Sequence, residues 1–513
     1  MAKNILIGVD IGSTTVKAVF INADTNKIVT TQTEEIVFVK AEDPEWIEQD
    51  ANDWWEYSKK LLNRGLEAGK IDPKDVAGVC FGGWTVMSFM VDEEGKPLCH
   101  AVHYGDMRHM DEVTELEEKI GKICVEKNGN YMGMYNGTAK QLWWKNKRPE
   151  IYKKAKYFLT EVTWINWKLT GNWAWNRTEA GFYSQYNTHT KQWDKEILEK
   201  VGFPESMFPP LYDAWEKVGE VTAEASKETG LAEGTPVFAG TDDASPVAIT
   251  TGSTKDGQCY LSIGSGGNIV ANSAAIISHP TCILYPHCIP GLNMIVTVLS
   301  STGVSYKWMR NNFAQAEIAV SQLTGDDPYV YLDKEASLSK PGSGGIIFLP
   351  YMEGDYTPNN DVNARAAFIG IGSYNTKNDM LRAVLEGAAM SVLSNIKLIE
   401  GLGGKLNEII ITGGPTKSKV WLQIISDVTG CPISLPEELE GAPFGNAIVA
   451  GVGCKIYKDY DEAVKKMVSI KRNVFVPDKK NHELYKEIYP IYEGLYAKLS
   501  DTYAKIAEIR AKQ

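Results

Sequence analysis

The residues best suited to chemistry in this chain fall in two stretches of similar make-up, Asp10-Ile11-Gly12-Ser13-Thr14-Thr15 and Ile263-Gly264-Ser265-Gly266-Gly267-Asn268. Each lies between apolar, strand-like runs: Ile5 to Val9 and Val16 to Ile21 around the first, Cys259 to Ser262 and Ile269 to Ala271 around the second. Both therefore read as β-hairpins with a tip rich in glycine and hydroxyl groups. Such a tip suits phosphate, because glycine lets backbone N–H groups approach an anion closely while Ser and Thr hydroxyls add donors. Two tips facing one another would hold the phosphate tail of a nucleotide. A further stretch, Gly240-Thr241-Asp242-Asp243, closes the strand Val237-Phe238-Ala239 with paired carboxylates, whose plainest use is to cap a helix from Ala244 onward.

Behind these residues, strands and helices alternate along the chain, which indicates an α/β architecture. Asp50 caps a helical stretch with Trp54, Trp55, Tyr57 and Leu61 at near-helical spacing, followed by Pro73 and a strand from Val76 to Phe81. Trp143, Trp144, Ile151 to Leu159 and Val162 to Leu169, ending at Gly171, read as packed helices with an intervening strand, their aromatics belonging to the core. The restart of the hairpin pattern after Asp243 marks a domain junction, giving units 1–247 and 248–513. In the second unit, Ile346 to Leu349 and Ile409 to Ile411 read as strands, with helices near 377–400, 417–429 and 443–455. From Asn481 onward an amphipathic helix places Leu484, Ile488, Tyr492 and Leu495 on one side.

A chain of 513 residues is too long for one ordinary core, so more than one unit is expected. Lys and Arg total 53 against 65 for Asp and Glu, a net charge of −12, which argues against a nucleic-acid-binding or anionic-membrane surface. Neither a signal-like apolar core nor a run of about 18 apolar residues is present, so the protein reads as cytoplasmic. Eight cysteines without a C-x-x-C pair signal neither a zinc ribbon nor a disulfide framework, only reduced, mostly buried thiols. His100, His103 and His109, like His279, Cys282, His287 and Cys288, cluster without a structural metal spacing and read as chance neighbours.

Two common nucleotide schemes fail. No G-x-x-x-x-G-K-[ST] occurs, and Asp10 to Thr15 opens into a second strand where a G-x-G-x-x-G fingerprint would open a helix. An acidic strand end, glycine, hydroxyls and hairpin, doubled across two α/β halves, resembles the two-domain actin-like ATPase (ribonuclease H-like) fold, with a nucleotide cleft between the domains. Longer matches resemble one family within it, the FGGY carbohydrate kinases. They run from Gly8 to Thr15 with Glu48-Gln49-Asp50, through Leu169-Thr170-Gly171, Asn176 to Ala180 and Gln192-Trp193-Asp194, to Phe348 to Pro358 with Asn363-Ala364-Arg365, and finally Ile411 to Ser418 with Gln423 and Asp427.

The resemblance implies ATP as phosphoryl donor, Mg²⁺ as cofactor and a small sugar or polyol as acceptor, with a ketopentose such as xylulose first, and glycerol, erythritol-like polyols, other ketoses or autoinducer-2 as alternatives. It implies Asp243 as the catalytic base, Asp242 being its rival and a substrate contact, and Asp10 with Asp243 at the metal, where hard oxygen ligands suit Mg²⁺. Phosphates would fall to Gly12, Ser13, Thr14 and Lys17, and to Gly264, Ser265 and Gly266. Adenosine would fall to Gly303, Lys307, Gly413, Gly414 and Ser418. Where xylulose kinases carry G-Q-M-H-G and glycerol kinases N-Q-R-E-T, this chain has Gly83-Trp84-Thr85-Val86-Met87, so the usual polar sugar contacts are absent and Trp84 and Thr85 stand in their place. Tyr104-Gly105-Asp106-Met107-Arg108 resembles the family's W-x-D-x-R, which makes Tyr104 a stacking ring, Asp106 an acceptor for sugar hydroxyls and Arg108 a structural partner. No nucleic-acid or membrane partner is implied, and a homodimer is left open. An ATPase of actin or heat-shock type, with no metabolite acceptor, is the competing class.

Overall fold

A central strand that is apolar along nearly its whole length must be covered on both faces, and Ile5–Ile11 (β1), with Asp10 as its one charged residue, is such a strand. The computed structural model, which describes residues 3–264, 266–299, 301–438, 440–510 and 512, places it inside a six-stranded sheet. Its other members are Thr15–Asn22 (β2), Lys27–Glu35 (β3), Val76–Gly83 (β4), Lys217–Glu220 (β5) and Pro236–Asp242 (β6), in the order β5-β6-β4-β1-β2-β3. β1, β4 and β6 run parallel, while β2, β3 and β5 are antiparallel to their neighbours.

The second half of the chain repeats this pattern. Cys259–Ile263 (β7), Gly267–Ser273 (β8), Cys282–Pro286 (β9), Asn293–Leu299 (β10), Ile409–Gly413 (β11), Ile433–Pro436 (β12) and Ile470–Phe475 (β13) form a sheet ordered β9-β10-β8-β7-β11-β12-β13. β7 pairs antiparallel with β8 and parallel with β11, as β1 does with β2 and β4. The expected hairpins are thus equivalent corners of two similar sheets.

Helices cover the faces. Ala51–Ala68 (α1) starts where the Asp50 carboxylate accepts the Asn52 N–H, and buries Trp54, Trp55, Leu61 and Leu62. Glu161–Thr170 (α2) is capped by Thr160 and ends at Gly171 in the left-handed conformation. Ala244–Thr250 (α3) leaves β6. In the second half come Thr302–Phe313 (α4), Lys377–Gly401 (α5), Lys419–Thr429 (α6), Ala442–Gly453 (α7) and Lys479–Arg510 (α8).

Two of these helices change sheets. α3 packs its Ala248 with Tyr260, Val270, Met294 and Val296 of the second sheet, and the Tyr260 hydroxyl donates to Ala244 O at 2.9 Å. α7 lies on the first sheet: Asn446 Nδ2 donates to Val9 O and its Oδ1 accepts from the Thr241 hydroxyl. Approach is so close that a Cβ on Gly8 would sit 1.9 Å from Pro443 O, and one on Gly445 2.2 Å from Pro246 O. The 247/248 boundary expected from the sequence falls within α3. Among the described residues no helix is long and apolar enough to cross a membrane.

In α8 the buried residues are Tyr485, Tyr489, Tyr492 and Tyr503, whereas Leu484 is 37% exposed. Of the expected face, Tyr492 is buried and Ile488 and Leu495 pack partly buried against the core, so Leu484 alone departs from it. Tyr485 turns inward because its hydroxyl donates to Glu386 and accepts from Arg382, so a buried polar cluster sets the helix's rotation.

Candidate active site

Parallel strands deliver their carboxyl ends to one edge, and here the acids collect. Asp10 is level with Gly82 of the adjacent β4, and Thr241 and Asp242 of β6 are level with Gly82 and Gly83 from the other side. The glycines set no side chain between the two acidic strand ends.

The paired aspartates have different fates. Asp242 is fully buried, and its Oδ2 accepts the Ala244 and Ser245 N–H groups at 3.0 Å, so it is the cap of α3. Asp243 is exposed and makes no capping bond. It nonetheless sits among enough protein that lost hydration, reinforced by the Asp242 charge, pushes its carboxyl up to about 7. Asp10 is pushed up to about 8, by burial first and then by Asp243, with Lys17 opposing, and its Oδ1 is buried without a partner. Among the described residues no three His, Cys, Asp or Glu side chains converge as a metal site. A hard divalent cation at Asp10 and Asp243 would complete its shell with water and phosphate oxygens, as Mg²⁺ does.

The first hairpin tip closes through Gly12 N–H to Thr15 O at 2.9 Å, leaving Ser13 half-buried and Thr14 exposed. The tip is held from below: Gln49 Nε2 donates to Ser13 O, and Trp54 Nε1 donates to Gln49 Oε1, both at 2.8 Å. Lys17 is directly opposite Asp10 in the hairpin, and its ammonium pairs with Glu440 at 3.1 Å.

At the second tip Gly264 N–H donates to Gly266 O at 2.8 Å, while Ser265 lies outside the described residues. Gly413 is level with Ile263 on the neighbouring strand, at φ +92°, where a Cβ would fall 2.1 Å from Ile263 O. Gly413 and Gly414 are exposed beside the tip. α4 starts next to it, since a Cβ on Gly267 would lie 3.2 Å from the Thr302 hydroxyl; Gly303 is half-buried there and Lys307 exposed. Ser418 is buried, its hydroxyl accepting the Trp421 N–H as the cap of α6, so it serves the helix and not a ribose.

The Trp84 backbone N–H donates to Ile11 O at 3.3 Å, which holds the chain at Trp84 beside the end of β1, with Thr85 half-buried next to it. Its ring is 4.7 Å from that of His103 and 6.0 Å from that of Tyr104, itself 39% exposed. Asp106 departs from expectation. It is fully buried; Oδ2 accepts Ile47 N–H and Arg108 Nη2, and Oδ1 accepts Arg108 N–H and Nε. A carboxylate so saturated has no acceptor left for a sugar hydroxyl. Arg108 also bonds Glu48 and lies 3.8 Å over the Trp46 ring, the structural partner expected of it.

Family models confirm what these pieces resemble: that of the FGGY family of carbohydrate kinases, N-terminal domain, matches residues 5–250, and that of the C-terminal domain matches 260–454. The chain belongs to this family. This carbohydrate kinase is 28% identical over 496 residues, 96% of each chain, to a xylulose kinase of Staphylococcus epidermidis. It is 26% identical over 494 residues to an autoinducer-2 kinase of Escherichia coli, covering 95% of this chain and 93% of the relative. The crystal structure of xylulose kinase from Rhodospirillum rubrum superposes with a TM-score of 0.88 at 26% identity, over 98% of this chain and all of that one. The two-domain actin-like fold and the use of ATP on a small sugar follow from the family.

The kinase holds site residues that spacing did not single out. Glu161 and Glu179 are fully buried behind the acidic edge, with a Cβ on Gly83 falling 2.1 Å from Glu161 Oε1; burial pushes both carboxyls well above the usual range, reinforced by the Glu179 charge at Glu161 and by the Asp242 and Asp243 charges at Glu179. Lys140 is buried with Nζ donating to the carbonyls of His103, Tyr104 and Asp106, tying down the turn that carries Tyr104. Gln49 had a family signal in Glu48-Gln49-Asp50. Glu179 likewise lay in the match from Asn176 to Ala180, while Glu161 and Lys140 had none, because burial of a charged side chain is invisible until the chain is folded.

Proposed function

We propose that this kinase transfers the γ-phosphoryl group of ATP to a hydroxyl of a ketopentose such as xylulose, with Asp243 as the base. The observation that carries this reading is that Asp243 is exposed and free of a capping bond at the acidic edge, while Asp242 is fully buried with one oxygen holding the start of α3. As the hydroxyl oxygen attacks phosphorus, its proton passes to the Asp243 carboxylate and the bond to the ADP oxygen breaks. A base whose pKa is raised to about 7 is matched to proton transfer near neutrality.

The chain divides into lobes 1–247 and 248–513, and the tips at 12–14 and 264–266 supply N–H and hydroxyl donors to the phosphates. Gly413 and Gly414 leave room for the adenosine, with Gly303 and Lys307 beside them. Lys17 reaches the phosphates by leaving Glu440. Mg²⁺ held through Asp10 and Asp243 would supply neutralisation of phosphate charge. The names of the xylulose kinase relatives favour a ketopentose over the other acceptors.

ADP release over a panel of ketoses, polyols and aldoses tests the reading. Strong stimulation by one ketopentose is expected, and stimulation by none of the panel refutes it.

A further inference from the structure

The sugar side of the site carries a donor surplus that the family resemblance does not explain. Trp84 is 2% exposed and His103 6% exposed, in ring contact at 4.7 Å, and both Trp84 Nε1 and His103 Nε2 are buried without a partner. The tautomer of His103 follows from its neighbours. Gly105 N–H donates to Nδ1 at 3.1 Å, so the proton of the neutral ring is on Nε2. Burial, with the Lys140 charge beside it, holds the imidazole neutral by lowering its pKa to about 4. Two N–H donors are therefore left over in one aromatic cluster, one of them on a residue whose backbone N–H bonds Ile11 O.

Acceptors on the turn that carries Tyr104 are already engaged. Lys140 occupies the carbonyls of His103, Tyr104 and Asp106. Arg108 and the Ile47 N–H fill the Asp106 carboxylate. A group entering against this turn finds two N–H donors and little on the turn to accept a proton from it. A carbonyl oxygen, which only accepts, is satisfied there; an alcohol at the same place would leave its own O–H buried and unpaired.

We propose that Trp84 and His103 are specificity residues that donate their two ring N–H groups to the carbonyl oxygen of an open-chain ketose, discriminating against the corresponding polyol. Tyr104, the exposed member of the cluster with its ring 4.1 Å from that of His103, turns aside to admit the sugar. The inference rests on the kinase reading above and adds the feature of the acceptor that is recognised.

The test compares kcat/KM for a 2-ketopentose and for the pentitol of the same skeleton, in the wild-type enzyme and in W84F, H103N and H103Q. W84F keeps the ring and removes the N–H; H103N keeps an acceptor for Gly105 and removes the distal donor; H103Q restores a donor near the position of Nε2. Wild type is expected to prefer the ketose, W84F and H103N each to reduce the ketose-to-pentitol ratio about tenfold, and H103Q to recover most of it. An unchanged ratio in both W84F and H103N, or a wild-type preference for the pentitol, overturns the proposal. ADP release by wild type that no sugar or polyol stimulates is a different result, and refutes the kinase reading instead.

Discussion

Two adjacent aspartates of identical chemistry end in opposite roles because one faces a helix N-terminus and the other faces out. Asp242 accepts two backbone N–H groups of α3, which would otherwise lack partners, while Asp243 accepts none of them. Asp243→Asn should therefore lower kcat by about 10²- to 10⁴-fold. Calorimetric affinity for ATP measured without Mg²⁺ should stay within a few-fold, and full residual activity would give the base role to another group. Glu161 provides a pH test. Its folded pKa is raised, so the folded chain keeps a proton that the unfolded chain releases above about pH 4.5. Its contribution to stability is thus greatest below that pH and is lost as pH rises. In denaturant titrations without nucleotide or Mg²⁺, Glu161→Gln should match wild type near pH 5 and exceed it by about 1–3 kcal/mol at pH 8. Parallel curves for the two proteins would contradict a buried, proton-holding Glu161.

At the scale of the element, the first hairpin is useful only if its tip is held still. β1 is buried along nearly its whole length and anchors one arm, but the tip itself depends on the relay from Trp54 through Gln49 to Ser13 O. Gln49→Ala removes both bonds and frees the tip. The expected outcome is an increase of about tenfold in the KM for ATP with a smaller change in the KM for sugar, read from initial rates. Equal changes in both would assign Gln49 to general stability. On the other sheet, Gly413 makes its turn at φ +92° against Ile263 O, a position closed to a side chain. Gly413→Ala should cost about 1–3 kcal/mol in urea unfolding from backbone strain alone.

Across the whole molecule, the exchange of α3 and α7 between sheets couples the two halves. Asn446 ties α7 to β1 and β6 at once, reaching Val9 437 positions away and Thr241 205 positions away. Both partners are buried, so Asn446→Ala leaves a carbonyl and a hydroxyl without their bonds and should cost about 2–4 kcal/mol. A melting temperature unchanged in calorimetry would show that this joint carries little of the stability. Because α3 begins next to Asp243 and is gripped by the second sheet through Tyr260, movement of that sheet would be transmitted to Asp243, the proposed base. Sugar-dependent closure, of the kind kinases use to exclude water, would act through this helix.

Local features were legible before the fold was known. The two hairpins, the Asp50 cap, the Gly171 stop and the strand before Asp243 depend on residues within a few positions of one another, where periodicity and turn chemistry act. The order of motifs was enough for the family and the fold. What the chain's linear order left open was the availability of each side chain. Asp106 is spent on Arg108 and Ile47 N–H, Ser418 on its own helix, and α8 turns its tyrosines inward toward Glu386 and Arg382. Most of these partners lie far apart along the chain. Burial and hydrogen bonding between distant residues exist only once the sheets are packed, so the tertiary structure alone decided which polar groups are left over for a substrate.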